Sequence, residues 1–244
     1  MKRILITAPA RQKPEIFDEY RQSVADLIVP DGYEVDTFYV INDCNELIPH
    51  MTASDRWIVC DVHDSYVKTH DDHLWTRKNM ENVAKLRNLT IRYALMHGYD
   101  YWFSTDTDLI LHPMTLTQLL ADDKDIVSEI FWSTSPNGVN WCNAWMYDQS
   151  TGQPQQWKTP GLYQCGMTGA LTLVKHRVLE AGVDYTPIPN ILNALYGEDR
   201  HFCVRAACAG FDMYIDSFYP ATHLFTDADF EDYLKSKHGG DTHE

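Results

Sequence analysis

Apolar and polar positions along the first half of the chain alternate between two periods. "RILITAP" (residues 3–9) and "EVDTFYVIND" (residues 34–43) are short β-rich runs, each finishing in polar residues, with a helical stretch around Glu15 to Ile28 between them. From Asn79 to His97 the positions Val83, Leu86, Thr90, Tyr93 and Ala94 recur at helical spacing, and Gly98 follows where a helix C-cap would sit. That helix delivers the chain to a strand over Tyr101 to Ser104. Pro113 opens a short helix, "MTLTQLLADD", which leads to another apolar strand, "DIVSEIF". Strand and helix in alternation predict an α/β fold whose central sheet is mixed and mainly parallel, flanked by helices.

Between Trp132 and Tyr163 the pattern breaks. This stretch is rich in Asn, Gln, Gly, Pro and Trp and has no sustained period, as expected of a functional loop. Its Trp132 could stack on a sugar ring or pack over the sheet. "GMTGALTLVKHRVLEAG" then reads as a glycine turn, a strand and a short helix closed by Gly182. "GEDRHFCVRAACAGFDMYID" reads as a helix from about Asp199 to Ala209, capped by Gly210, and a strand from Phe211 to Ile215. A single domain over residues 1–235 is expected, with halves at 1–112 and 113–235, and a flexible tail at 236–244.

Composition narrows the function classes. Twenty basic residues against 35 acidic ones give a formal charge of −15, which disfavours a sequence-independent grip on nucleic acid and suits divalent cations or a solvated acidic surface. The opening "MKRILITAPA" has too short an apolar segment for a secretion signal and is read as a first buried strand. No segment has the length of unbroken apolar residues that a membrane span needs. The six cysteines lack a C-x-x-C pair and are read as reduced thiols, so the expected location is the cytoplasm, with peripheral attachment to a membrane left open.

The chemistry concentrates in "YWFSTDTDLIL" (residues 101–111). An ionised carboxylate loses several kcal/mol on leaving water unless it is compensated, so two aspartates at the end of a buried strand need a partner. On an extended strand Asp106 and Asp108 would share one face, and their hard oxygens suit Mn(II), Mg(II) or Ca(II). The carboxyl end of a central strand is also where open α/β sheets bind ligands. Arg87, on the preceding helix, could hold a phosphate or face solvent. His223 could be a core histidine or a metal ligand. Asp199 could be an N-cap or a functional acid. The cluster His63, His70, Asp71, Asp72 and His73 reads as a surface loop.

With these motifs the chain resembles glycosyltransferases of the GT-A fold, a Rossmann-like arrangement, from "ILITAPARQ" through "YPATHLF". "RNLTIRYALMHGYDYWFSTDTD" and "DDKDIVSEIFW" look like fungal mannosyltransferases of the mannan-polymerase type, and "GALTLVKHRVLEAG" and "GEDRHFCVRAACAG" are similar to bacterial family 2 glycosyltransferases. The resemblance implies a nucleotide-sugar donor, UDP-sugar first and GDP-mannose next, held through Mn(II) or Mg(II). It implies Asp108 as main metal ligand, Asp106 at the ribose or the metal, and His223 completing the coordination. Thr7, Ala8, Arg11 and Asp43 would meet the nucleoside, supported by Arg87, while Gly166, Gly169, Glu198 and Trp132 would lie beside the sugar and acceptor. Asp199, in "GED", would be the general base of an inverting transfer to a hydroxyl acceptor of unassigned type. Gly197 departs from the acid-Glu-Asp pattern at its first position, and the mannan-type likeness points instead to retention. The rival readings are an inactive nucleotide-sugar-binding module, a nucleotidyltransferase, for which "TAPARQK" offers no glycine cradle, and a glycoside hydrolase, which would use paired carboxylates without a metal.

Overall fold

β-Branched and aromatic runs form the strands, and the helices between them are bounded by identifiable signals. The computed structural model describes residues 1–63, 67–68, 73–74, 76–134, 138–146, 155–189 and 197–239. The first half runs β1 (Lys2–Ala10), α1 (Pro14–Ala25), β2 (Tyr33–Ile41), β3 (Arg56–Val59), β4 (Val67–Lys68), β5 (His73–Leu74), α2 (Arg77–Met96), β6 (Tyr101–Ser104) and β7 (Leu109–Ile110). Next come α3 (Thr115–Ala121), β8 (Ile126–Thr134), β9 (Asn140–Cys142), β10 (Ala144–Trp145), β11 (Leu162–Cys165), β12 (Met167–Thr168) and β13 (Thr172–Lys175). The chain then forms α4 (His176–Glu180), α5 (Glu198–Cys208), β14 (Met213–His223) and α6 (Asp227–Gly239).

Pro14 starts α1 at a position where its missing N–H costs nothing. A reciprocal capping box between Thr76 and Asn79 starts α2, and Gly98, at φ +64°, follows its C-terminal end. One mixed sheet has the order β11-β14-β8-β13-β6-β1-β2-β3, with β7 added to β14 and β9 to β8. Pairings among β6, β1, β2 and β3 are parallel, as is β8 with β14, whereas β13 and β11 pair antiparallel to their neighbours. This agrees with the mixed, mainly parallel sheet expected from the sequence, and it continues through both halves of the chain.

Helices cover both faces. Phe17 and Tyr20 of α1 and Leu116 and Leu119 of α3 pack on Ile4, Ile6 and Phe103 on one side, while Leu86 of α2, Val178 of α4 and Phe202 of α5 pack with Trp102 and Ile130 on the other. The chain crosses from β1 to β2 on one side and then returns to place β6 on the other side of β1. Such a reversal is where open α/β sheets form their ligand crevice, at the carboxyl ends of the strands.

Three boundaries differ from expectation. The last strand begins at Met213 and runs to His223, so His223 is the end of a paired strand and not a residue beyond it. Helix α6 starts behind a cap at Thr226, whose amide donates to Asp229 Oδ2 at 2.7 Å, and passes through residue 235 to Gly239. Residues 240–244 of the expected tail lie outside the described residues. The 132–163 stretch has more regular structure than its composition suggested, with β8 extending to Thr134 and β9, β10 and the start of β11 also falling inside it.

Strand β8 also carries a buried acid. Glu129 is the register partner of Asp216 on β14, and both are fully buried beside Gln118 of α3 and Asp122, the residue that follows the helix. Burial, and then the charge of Asp216, push the Glu129 carboxyl up to about 9 from an ordinary 4.5. Burial followed by Asp216 likewise pushes Asp122 up to about 7, against a small opposing effect of Lys124. A folded-state value above the unfolded one means that the folded protein binds more protons between the two. The contribution to stability is therefore fully present below the unfolded value and is lost as pH rises through the folded one. Glu129→Gln is expected to flatten the fall in melting temperature between pH 5 and 9, leaving the variant less pH-sensitive than the wild type. Parallel melting curves for the two proteins across that range would contradict it.

Candidate active site

The site is built on strand ends. β6 stops at Ser104, and the Asp106-Thr107-Asp108 segment is a turn in which the Leu109 amide donates to the Asp106 carbonyl at 3.3 Å. The extended conformation expected here does not occur, and the two carboxylates take different partners. Asp106 Oδ1 accepts from Arg87 Nη2 at 2.7 Å. Asp108 Oδ1 lies 3.7 Å from His223 Nε2.

Strand pairing fixes that second contact. His223 is opposite Leu109 in the β14–β7 ladder, and the Leu224 amide donates to the Asp108 carbonyl at 2.8 Å. Asp108 and His223 thus offer one oxygen and one nitrogen donor towards the same point, a set that fits Mn(II) or Mg(II) if phosphate or water oxygens supply the remaining positions. Among the described residues, no group of three or more His, Cys, Asp or Glu side chains is arranged to hold a metal ion.

Arg87 is not on a solvated helix face. It is 2% exposed, its Nη1 donates to Ser104 Oγ at 2.7 Å, and its Nε lies 3.8 Å from Glu198 Oε1. Its guanidinium also sits 5.6 Å from the centre of the Tyr185 ring. Asn88 holds that ring's segment in place, accepting from the Tyr185 amide at 2.8 Å. Burial by itself would lower the pKa of Arg87, but Asp106, Tyr185, Asp199 and Glu198 raise it further, so the residue stays charged.

Glu198 and Asp199 open α5, where the helix dipole favours negative charge. The preceding Gly197 has φ +112°, a conformation that a side-chain-bearing acid would adopt only under strain, which accounts for its departure from the acid-Glu-Asp pattern. Burial raises the Asp199 pKa well above the ordinary carboxylate range; Glu198 adds to the rise and Arg87 opposes it. Burial also raises Glu198, again against Arg87.

Gly169 faces this acid. A Cβ at residue 169 would come within 3.1 Å of Asp199 Oδ2, so only glycine leaves the carboxylate its present position, and the Gly169 amide is anchored on the Asn143 carbonyl at 2.7 Å. Gly166 donates to the Trp145 carbonyl at 2.9 Å, and the Arg200 guanidinium lies 5.6 Å from the Trp145 ring. Trp132, on β8 between β14 and β9, is half-buried with the Lys158 ammonium 5.3 Å from its ring.

The remaining residues lie at the ends of β1 and β2. Thr7 and Ala8 are buried within the ladder, paired with Phe38 and Tyr39, so their side chains have no surface on the crevice. Arg11 and Asp43, just past the strand ends, do: Arg11 Nη1 is 3.6 Å from Asp43 Oδ2. Asp43 sits at φ 48°, its amide donating to Asp61 Oδ1 at 2.8 Å, and the exposed His63 lies 3.5 Å from its Oδ1. Of the other clustered residues, His70, Asp71 and Asp72 lie outside the described residues, as does the side chain of His73.

Sequence reasoning missed Ser104, Tyr185 and Ser133, whose Oγ is 2.7 Å from His223 Nδ1. Pairing and loop packing bring them in, and neither leaves a spacing signal.

A family model described as glycosyltransferase family 25, N-terminal domain, matches residues 17–215. The fold is similar to that of Staphylococcus aureus TarS residues 1–349, with a TM-score of 0.54, 15% identity, and coverage of 97% of this chain and 64% of that one. The same TarS fragment in complex with UDP-GlcNAc matches with a TM-score of 0.52 and 12% identity over 90% of this chain and 58% of that one. Its complex with UDP gives a TM-score of 0.54 and 15% identity, covering 96% and 64%. The chain therefore spans about 64% of the length of the TarS fragment. The expected GT-A architecture and glycosyltransferase resemblance are borne out. Among the described residues, no helix is long and apolar enough to cross a membrane.

Proposed function

Because the chain belongs to the family of glycosyltransferase family 25 N-terminal domains, we propose that it moves a sugar from a nucleotide-diphosphate donor to a hydroxyl acceptor, with inversion. UDP-sugars are the favoured donors and GDP-mannose the next. The observation that carries this reading is the Arg87 guanidinium, which ties the Asp106-Thr107-Asp108 turn to the Glu198-Asp199 helix start. That link supports reading the turn as a diphosphate grip and the helix start as the source of a base. TarS in complex with UDP-GlcNAc, a protein of similar fold, supports the choice of donor class.

In this mechanism Arg11 and Asp43 meet the nucleoside, and Asp106 meets the ribose, held by Arg87. Asp108 and His223 would hold Mn(II) or Mg(II), and such an ion would supply a Lewis acid that neutralises charge building on the leaving diphosphate. Asp199 accepts the proton of the acceptor hydroxyl as its oxygen attacks the anomeric carbon and the bond to the diphosphate breaks. A base on the acceptor side, with no second carboxylate needed as a nucleophile, gives inversion. Trp132, Gly166 and Gly169 border the acceptor side.

Release of UDP or GDP from a panel of nucleotide-sugars tests the reading. UDP release in Mn(II) that stops in excess chelator is the expected result. Turnover of a glycoside without a nucleotide, persisting in chelator, would favour a hydrolase. Metal-dependent nucleotide binding with no release from any donor, with or without sugar acceptors, would favour the inactive module.

A further inference from the structure

The candidate metal pair has a neighbour that none of the family motifs includes. Ser133 lies on β8 next to Trp132, which is in register with Thr222 of β14, so Ser133 comes level with His223. Its Oγ and His223 Nδ1 are 2.7 Å apart, and Ser133 is 4% exposed. Phe131 and Phe225 close the rest of the ring, with centroids 4.9 and 5.4 Å from that of His223. Among the described residues, the polar side chains beside the imidazole are thus Ser133 at one nitrogen and Asp108 at the other.

We propose that Ser133 is a positioning residue that holds the His223 ring and, by being able to accept the Nδ1 proton, lets Nε2 bind a divalent cation together with Asp108. This rests on the metal-assisted reading above. A hydroxyl both donates and accepts, and it rotates to suit its partner. Without an ion, Ser133 Oγ–H donates to Nδ1 and the Nε2–H points towards Asp108. With an ion, the ring proton resides on Nδ1 and is donated to Ser133 Oγ, which frees the Nε2 lone pair. A carbonyl or carboxylate in place of Ser133 would accept only, and would hold the ring in the second form alone. The serine serves both states with no movement of the strand. Partners of this kind on the far nitrogen of a ligating histidine typically govern metal affinity.

The test is the Mn(II) affinity of the UDP-saturated protein, read from the electron paramagnetic resonance of free Mn(II). Ser133→Ala is expected to weaken Mn(II) binding by about 10–100-fold, as removal of such a partner does elsewhere. Ser133→Thr, which keeps the hydroxyl, is expected to restore it. If His223→Ala loses Mn(II) while Ser133→Ala binds like the wild type, the role of Ser133 is overturned and the metal reading survives. If both His223→Ala and Asp108→Ala bind Mn(II) like the wild type, the metal reading itself is overturned. Nitrogen-15 NMR of histidine in the wild-type protein gives a readout that needs no Ser133 variant. With UDP and Mg(II), the resonances lost in His223→Ala should report a proton on Nδ1; a proton remaining on Nε2 would overturn the proposal.

Discussion

Asp199→Asn is expected to lower sugar transfer by about 10²–10⁴-fold, the range that a positioned general base contributes, while nucleotide affinity stays unchanged. The amide cannot take the acceptor proton, but it preserves the shape that Gly169 and α5 impose. The wild-type rate carries a second signature. As the proposed base Asp199 would act in its ionised form, and burial with Glu198 beside it holds its pKa well above the ordinary range. The rate should therefore climb with pH through that raised value and be low where an ordinary aspartate would already be ionised. A variant that keeps wild-type turnover would assign the base elsewhere.

The largest stability effect is expected at Arg87. Arg87→Met removes the cation from a site that holds Asp106 at 2.7 Å and Glu198 at 3.8 Å and leaves both carboxylates without it. The Asp106 side chain is 39% exposed, so solvent screens part of the loss. The cost is expected to fall below the roughly 3–5 kcal/mol of a fully buried pair, still a sizeable share of the roughly 5–15 kcal/mol that keeps a domain folded. Arg87→Lys should recover only part of the loss, because one ammonium cannot reproduce the fork that reaches Ser104 and Asp106 from separate nitrogens. Urea unfolding measures both variants. A midpoint for Arg87→Met close to that of the wild type would show that the cluster tolerates the loss, and would remove the basis for Arg87 as the link between the two acidic motifs.

The apolar runs made the sheet legible, because most of β1, all of β6 and residues 38–41 of β2 are buried on both faces and read as near-continuous hydrophobic segments. Asp199 and His223 gained a role only through likeness, whereas Asp106 and Asp108 were legible as candidates, since carboxylates beside buried strands need compensation. Their partners were not. Arg87 sits on a helix whose sequence allows either a buried or an exposed arginine, and only the packing of α2 against β6 and α5 decides between them. The turn at residues 105–108 was misread as strand because alternation of polar and apolar residues does not say where a ladder stops. Here it stops at Ser104, opposite Thr172, the first residue of the antiparallel β13. Thr7 and Ala8 were placed in the crevice by likeness, but the ladder of β1 with β2 runs on to Ala10 and encloses them.

Isothermal titration of UDP into the protein, with and without Mn(II), tests the central claim most directly. The account predicts that UDP binds measurably and that Mn(II) strengthens it, with the gain lost in Asp108→Ala. An absence of heat and of affinity for UDP and GDP alike, in the presence and absence of Mn(II), would contradict it.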